Sequence, residues 1–273
     1  MPVIRLVTPD DPRVADYRDV PEPELLRARG LFVVEGRLVV ERLIEGRRFA
    51  IRSLLLSDAA HAALQPAIAR LDAEVPIFVC DLEHFTTLTG FNIHRGCLAL
   101  AERPADAPLD DVLRDARLVV VLDDVTNADN VGGVFRNAAA FGAGAVLLSP
   151  SSCDPLYRKA IRTSMAWALR VPFARIEPWP GGLEALRARG FSIVALTPRA
   201  PSEPLDEFAV GPRPDRIALV IGAEGRGLTA TVEAAADRRV RIPIARDVDS
   251  LNVAVATGIA LSRLSARATA DSP

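Results

Sequence analysis

The 273-residue sequence predicts an α/β fold, with a smaller domain followed by a larger one built on a parallel sheet. Two observations predict it. Runs of Val, Ile and Leu without polar alternation recur between helix-patterned segments, as strands covered on both faces of a parallel sheet do. A Pro- and Asp-rich stretch, "ERPADAPLDD", divides the chain into two regions of different patterning.

In the first region, "LFVVEGRLVVERLIEG" reads as a strand running into a helix, and "SLLLSD" and "PIFVCD" as short buried strands ending in acids. "TGFNIHRGCLAL" reads as a loop entering a last strand. After the divide, "RLVVVLDDV" is a strand and "NVGGVFRNAAAFG" a helix with Gly142 near its C′ position, followed by the strand "AGAVLLS". "DPLYRKAIRTSMAWAL" reads as one helix opening with proline, then "VPFARI" as a strand, "GGLEALRARG" as a helix and "FSIVALTP" as a strand. "RIALVIG" is a strand, "LTATVEAAAD" a helix and "RRVRIPI" a short strand, and a final helix runs from about Ser250 to Ala268.

Composition sets the bounds. The chain is 49% hydrophobic and 25% charged, a globular balance. No apolar run approaches the ~18 residues of a membrane span, and "MPVIRLVTPDDPR" lacks a secretory apolar stretch. Cys80, Cys97 and Cys153 are too scattered for a disulfide framework or zinc ribbon, and His61, His84 and His94 form no metal pattern. The expectation is a cytoplasmic protein with no metal and no membrane partner. A net charge of −2 does not advertise a nucleic-acid binder, but it leaves room for a local basic groove.

Three segments carry the chemistry. In "NADNVGGVFRNAAAFG", Asn130 reads as an N-cap with Gly132 and Gly133 in the first turn. Two glycines there cost the helix about 1 kcal/mol each against alanine. Arg136, three and four residues on, leans back over that bare turn. This sets a cation above a gap suited to a phosphate or an oxygen nucleophile; the alternative is a surface arginine beside tight helix–strand packing. In "IGAEGRGLT", Gly222, Gly225 and Gly227 follow a strand as phosphate-cradling loops do, yet Glu224 would repel a phosphate. The alternative is a tight strand-to-helix turn. In "RIPIARDVDSLNVAVATGIALSRL", Asp249 and Ser250 read as a helix start. Leu251, Val255 and Ile259 lie on one side of that helix and Val253, Ala260 and Leu264 on another, as for a helix buried between its own sheet and a second subunit. Asn252 is a polar residue in this apolar start; its alternative role is a core amide capping a neighbouring loop.

Taken together, "NADNVGGVFRNAAAFGAGAVLLSP", "LVIGAEGRGLT" and "IPIARDVDSLNVAVATGIAL" resemble, in order and spacing, the three signature motifs of the SpoU (TrmH) family of RNA ribose 2′-O-methyltransferases, within the SPOUT superfamily. "DPLYRKAIRTSMAWALRVPF" resembles the family's segment between the first two motifs. "LFVVEGRLVVERLIEGRRFAIRSLLLSD" is more distantly similar to its N-terminal substrate-binding domain of ribosomal protein L30e type. The resemblance implies a C-terminal SPOUT domain with a deep trefoil knot, an L30e-like N-terminal domain, bound S-adenosyl-L-methionine, an RNA substrate (rRNA or tRNA) and a homodimer. A sulfonium donor carries no phosphate, so a glycine loop containing Glu224 suits it. The implied boundaries are an N-terminal RNA substrate-binding domain at 1–105, a linker at 106–114, a knotted methyltransferase domain at 115–268 and a tail at 269–273.

By motif position, Gly222, Ile242 and Leu251 would contact the donor, with Thr197, ending "SIVALT", on the same side. Arg136 would position the ribose hydroxyl or its phosphate, because a guanidinium holds its proton too tightly to be a good base. Asn130, Glu224, Ser250 and Asn252 would orient that arginine and the target nucleotide, or Glu224 would take the proton. Two positions depart from the family pattern: Ala254, where serine is frequent, which puts a catalytic hydroxyl there in doubt, and Ala166, where glycine is usual, expected only to tighten packing. Arg13, Arg18, Arg27, Arg29, Arg37, Arg47, Arg48 and His94-Arg95 are candidates for an RNA-facing surface, or for an ordinary solvated face. A non-catalytic RNA binder on the same fold is the rival reading. A dinucleotide-dependent oxidoreductase is disfavoured, since "LVVVLDDVTNADNVGG" holds no early glycine fingerprint.

Overall fold

The computed structural model describes residues 1–8, 10–18, 22–89, 96–245 and 247–265; His94-Arg95 and the tail at 269–273 lie outside the described residues. The elements begin β1 (Val3–Arg5), α1 (Glu22–Arg29), β2 (Leu31–Glu35), α2 (Arg37–Gly46), β3 (Ile51–Ser57), α3 (Asp58–Ile68), β4 (Ile77–Cys80), α4 (Leu82–Thr89) and β5 (Cys97–Glu102). They continue with α5 (Leu109–Leu113), β6 (Leu118–Asp123), α6 (Ala128–Ala140), β7 (Ala145–Leu148), α7 (Arg158–Thr163), β8 (Phe173–Arg175), α8 (Leu183–Arg187) and β9 (Ser192–Leu196). The last are β10 (Glu203–Pro204), α9 (Leu205–Val210), β11 (Ile217–Gly222), α10 (Ala230–Ala234), β12 (Arg238–Arg241) and α11 (Val253–Ser265). By its internal contacts the chain divides into two compact units, Met1–Ala105 with Pro155–Arg170, and Asp106–Asp154 with Val171–Pro273.

The first unit is a mixed five-stranded sheet in the order β1-β4-β3-β5-β2, with β5 antiparallel to β2 and β3. Its apolar runs are buried as their lack of alternation predicts: Leu54, Leu55 and Leu56 of β3 are wholly inaccessible. Ser57 ends that strand and caps α3, its side chain accepting from the Ala60 N–H. The segment Pro155–Arg170, which the sequence boundaries assign to the second domain, groups with this unit. Charge pairing anchors it: Arg162 Nη1 lies 3.1 Å from Glu35 Oε2, and the Arg158 N–H donates to Glu22 at 2.9 Å. It is not one helix. After α7 the chain turns through positive φ at Met165 (52°) and Ala166 (68°) before a 3-10 turn, Trp167–Leu169. Ala166 therefore does more than tighten packing: it occupies a left-handed conformation that disfavours any Cβ.

The second unit holds a seven-stranded sheet, β10-β12-β9-β11-β6-β7-β8, parallel at every pairing. Val119, Val121, Leu147, Ile193, Ala195, Ala218 and Val220 form the core of one face. On this sheet β6 leads outward to β7 and β8, after which the chain returns to lay β9, β10, β11 and β12 on the other side. The crevice beyond the carboxyl ends of the strands at such a reversal is where open α/β sheets bind ligands. The linker stretch contains α5, and β10 with α9 falls in a segment that carries no strong periodicity.

Helix α6 begins earlier than the sequence suggests. Asn127, not Asn130, is its cap, its side chain accepting from the Asp129 N–H at 2.8 Å. Asn130 is thereby drawn inside the helix and buried, and Gly132 and Gly133 sit beyond the first turn. Gly133 faces α11: a Cβ built there would stand 2.5 Å from Ala254 Cβ. One turn on, Asn137 Nδ2 donates to the Ala254 carbonyl at 2.6 Å. Ala254, one of the departures from the family pattern, is thus a packing partner of that glycine. Among the described residues no helix is long and apolar enough to cross a membrane.

Gly133→Ala is expected to lower stability by about 1–3 kcal/mol, because overpacking outweighs the ~1 kcal/mol gain in helix propensity. Thermal unfolding checks it, and Ala254→Gly in that background should recover most of the loss if the clash lies between these two positions.

Candidate functional site

A cavity of about 510 Å³ opens at the carboxyl ends of β9, β11 and β12, within the second unit. Its walls are the end of β9 (Leu196, Thr197, Pro198, Arg199), the glycine loop from Ile221 to Leu228, and the stretch after β12 (Ile242, Ile244, Asp249, Ser250, Leu251), closed by Val253 and Ala256 of α11. Volume and lining suit a small organic ligand held by apolar side chains and main-chain groups.

The glycine loop follows from its residues. At Gly222 a Cβ would lie 2.3 Å from the Gly227 carbonyl carbon and 2.4 Å from the Leu228 nitrogen, so only glycine lets the loop fold back on its own strand. Gly225 and Gly227 take positive φ, 78° and 67°. The Gly227 N–H donates to the Ala223 carbonyl at 2.9 Å, which closes the turn and leaves Glu224 exposed at its tip.

Asn252 joins three parts of the site. Its Nδ2 donates to Asn130 Oδ1 at 2.8 Å and to Glu224 Oε1 at 2.7 Å, using both amide hydrogens. Its Oδ1 accepts from the N–H groups of Ala254 (2.9 Å) and Val255 (3.2 Å), which makes Asn252 the cap of α11. The expected start at Asp249 and Ser250 is corrected accordingly: both are exposed, lie in the loop before the helix, and line the cavity instead. A cap two residues later places the Asn252 amide where it can reach α6 and the glycine loop at once.

Of the nine residues singled out from the sequence, Thr197, Gly222, Glu224, Ile242, Ser250 and Leu251 line the cavity. Asn130 and Asn252 reach it through Glu224. Arg136 is not among the lining residues; its side chain is exposed and has no partner among the described residues. Thr197 is buried and its hydroxyl is committed, donating to Glu233 Oε1 at 2.7 Å and accepting from the Arg199 N–H at 3.2 Å. Sequence reasoning missed Arg199 and Glu233, because nothing in the linear order says that β9 lies beside β11 and β12; it gave Asp249 only a place at a helix start and Ile244 no place at the site.

Other chemistries find little support here. Burial pushes the Cys80 thiol up to about 11 and that of Cys97 up to about 12, so neither is a nucleophile near neutral pH. Asp123, buried at the end of β6, has its carboxyl held above the usual range by burial, offset in part by the Trp179 indole, which donates at 2.8 Å. It is absent from the cavity lining. Among the described residues no group of three or more His, Cys, Asp or Glu could hold a metal ion.

Residues 117–262 match the SpoU rRNA Methylase family. The chain belongs to that family. A tRNA/rRNA methyltransferase of Mycobacterium bovis, itself uncharacterized, is 40% identical over 256 residues, covering 92% of this chain and 88% of the relative. Its counterpart in Mycobacterium tuberculosis H37Rv is equally similar, 40% over 256 residues. Among solved structures, an AdoMet-bound rRNA methyltransferase from Sinorhizobium meliloti aligns with a TM-score of 0.81 and 25% identity over 96% of this chain and 97% of that one. The AdoMet complex of the SpoU methyltransferase AviRb from Streptomyces viridochromogenes shares the fold, with a TM-score of 0.76 and 23% identity over 95% of this chain and all (100%) of the other. The matched segment of this SpoU-family chain spans the glycine loop, the Asn252 bridge and Arg136.

Two substitutions separate the two tasks of Asn252. Asn252→Ala is expected to cost about 0.5–2 kcal/mol through loss of the cap. Asn252→Asp keeps an acceptor for the helix but sets a carboxylate against Glu224, so it should retain most of the helix stability while disordering the glycine loop. Denaturant unfolding paired with amide exchange of residues 223–228 checks both.

Proposed function

We propose that this SpoU-family protein is an S-adenosyl-L-methionine-dependent methyltransferase that methylates a ribose 2′-hydroxyl in structured RNA, ribosomal or transfer. The observation that carries the reading is the Asn252 bridge: it couples the ligand-sized cavity to the helix bearing the one-turn group of Gly133 and Arg136. The residues present fit the donor. Gly222 brings main chain close in a way any Cβ would block, Gly225 and Gly227 supply the positive φ of the turn, Leu196, Ile221, Ile242, Ile244 and Leu251 give an apolar wall for an adenine, and Glu224 and Asp249 are carboxylates compatible with a sulfonium cation. When bound, the donor supplies a methyl group activated by that cation.

The chain's own residues supply position and charge. Arg136, a guanidinium without a side-chain partner among the described residues, is available to fork onto the phosphate or 2′-oxygen of the target nucleotide and to stabilise negative charge developing on that oxygen. Holding the hydroxyl in line provides much of the rate in a displacement of this kind. Glu224, exposed and oriented through one oxygen by Asn252, is placed to accept the hydroxyl proton, a role Arg136 is too basic to fill. Ser250, at the cavity rim with no side-chain partner among the described residues, orients the nucleotide.

The rest of the assembly follows the same reading. The stretch 242–252 carries the chain from β12, on one side of β11, to α11, which packs on α6. It shares the cavity with the loop of β11, an arrangement that agrees with a trefoil knot. A homodimer is supported by α11, where Val253, Ala260 and Leu264 are buried while Val255 and Ile259 remain 52% and 37% exposed on the other side. The first unit, read as the L30e-like RNA-binding domain, keeps Arg27, Arg37 and Arg47 without side-chain partners among the described residues. Arg13 and Arg29 are instead paired with Asp11 and Asp16, Arg18 donates to the Asp11 carbonyl, and Arg48 donates to the Arg170 carbonyl. Three buried free thiols are compatible with a reducing cytoplasm.

Arg136→Ala should lower transfer of labelled methyl to RNA by about 10²–10³-fold while leaving donor binding intact. Near-full methylation by this variant, or by Arg136→Lys, would remove the positioning role, and ribose-methylation mapping of the product identifies the modified oxygen.

A further inference from the structure

We infer that Arg199 is a positioning residue for donor binding, holding the far arm of the glycine loop in the shape the cavity requires; this rests on the function proposed above. Arg199 stands two residues past Thr197, on the connection leaving β9, and is itself part of the cavity wall. Its guanidinium spans the loop: Nη2 donates to the Arg226 carbonyl at 2.8 Å and Nη1 to the Leu228 carbonyl at 2.9 Å. These two carbonyls flank Gly227, which takes φ 67° and, lacking a Cβ, has little conformational preference of its own. The Gly227 position lies directly under the guanidinium, since a Cβ there would be 3.9 Å from Nη2.

A buried acid fixes the arginine in turn. Glu233 of α10, about nine-tenths buried, lies 3.4 Å from Arg199 Nη1 and accepts from the Thr197 hydroxyl at 2.7 Å. The Arg199 N–H donates back to that hydroxyl at 3.2 Å. Strand β9, the loop of β11 and α10 are thus joined by one side chain whose planar fork matches two carbonyls and a carboxylate. An ammonium reaches such a set only as a point charge. The Asn252 contact with Glu224 holds the near end of the loop and Arg199 the far end, with the cavity between them.

The test uses the full-length protein with S-adenosylmethionine as probe. Arg199→Met should speed amide exchange at residues 225–228 and weaken donor binding, each about tenfold. The KM for RNA should stay unchanged and kcat at saturating donor should fall by less than about threefold. Arg199→Lys should recover part of both effects, and Glu233→Gln should move both in the same direction as Arg199→Met. Unchanged exchange at 225–228 overturns the inference, as does faster exchange with unaltered donor affinity, or a loss confined to kcat or RNA binding. Failure of the unsubstituted protein to bind the donor overturns this inference together with the functional reading, whereas normal donor binding with unchanged exchange overturns the role of Arg199 alone.

Discussion

The site depends on one amide. Asn252 spends both hydrogens on groups from elsewhere in the chain, the buried Asn130 of α6 and the exposed Glu224 of the glycine loop, and its oxygen starts α11. Three segments far apart in sequence are held by four hydrogen bonds with no spare donor. An aspartate could cap the helix but could not donate, and a serine could not reach in both directions. The bond to Glu224 is charge-assisted, and although it lies near solvent it fixes which carboxylate oxygen remains available at the cavity.

Small residues make that bridge possible. Helix α11 approaches α6 closely where Gly133 meets Ala254, and Gly258 lies against Asn137, whose amide in turn donates to the Ala254 carbonyl. This approach brings the start of α11 within reach of Asn130. The alanine at 254 preserves the contact with a methyl group and presents no hydroxyl. In the cavity, too, glycine serves proximity at Gly222 and backbone conformation at Gly225 and Gly227.

Much of this was legible in the sequence. Unalternating apolar runs give the parallel sheet, and glycines packed into a turn after a strand mark the loop that walls the cavity. Six of the nine residues chosen from motif position line it. What was not legible depends on geometry across the sheet. Local preference points to Asn130 as the cap of α6, but Asn127 takes that place and Asn130 is buried inside the helix, where it accepts from Asn252. Asp249-Ser250 is a sound helix start by local preference, yet the bond from Asn252 to its own helix wins because it also satisfies two distant acceptors. The alanine at 166 hides the left-handed turn that the family's usual glycine there would have signalled, and the grouping of Pro155–Arg170 with the first unit involves contacts such as those to Glu22 and Glu35 formed over more than a hundred positions. Arg199 stayed hidden because strand order is not written in strand sequence.

The account's central claim is that the glycine loop and the stretch before α11 form one pocket for a cationic methyl donor. A crystal structure of the full-length protein grown with S-adenosylmethionine tests it most directly. The claim predicts the donor between Gly222–Leu228 and Ile242–Leu251, its adenine against apolar side chains, and its methyl group on the side of Glu224 and Arg136. A donor bound elsewhere, or bound there with its methyl group turned away from both side chains, would contradict it.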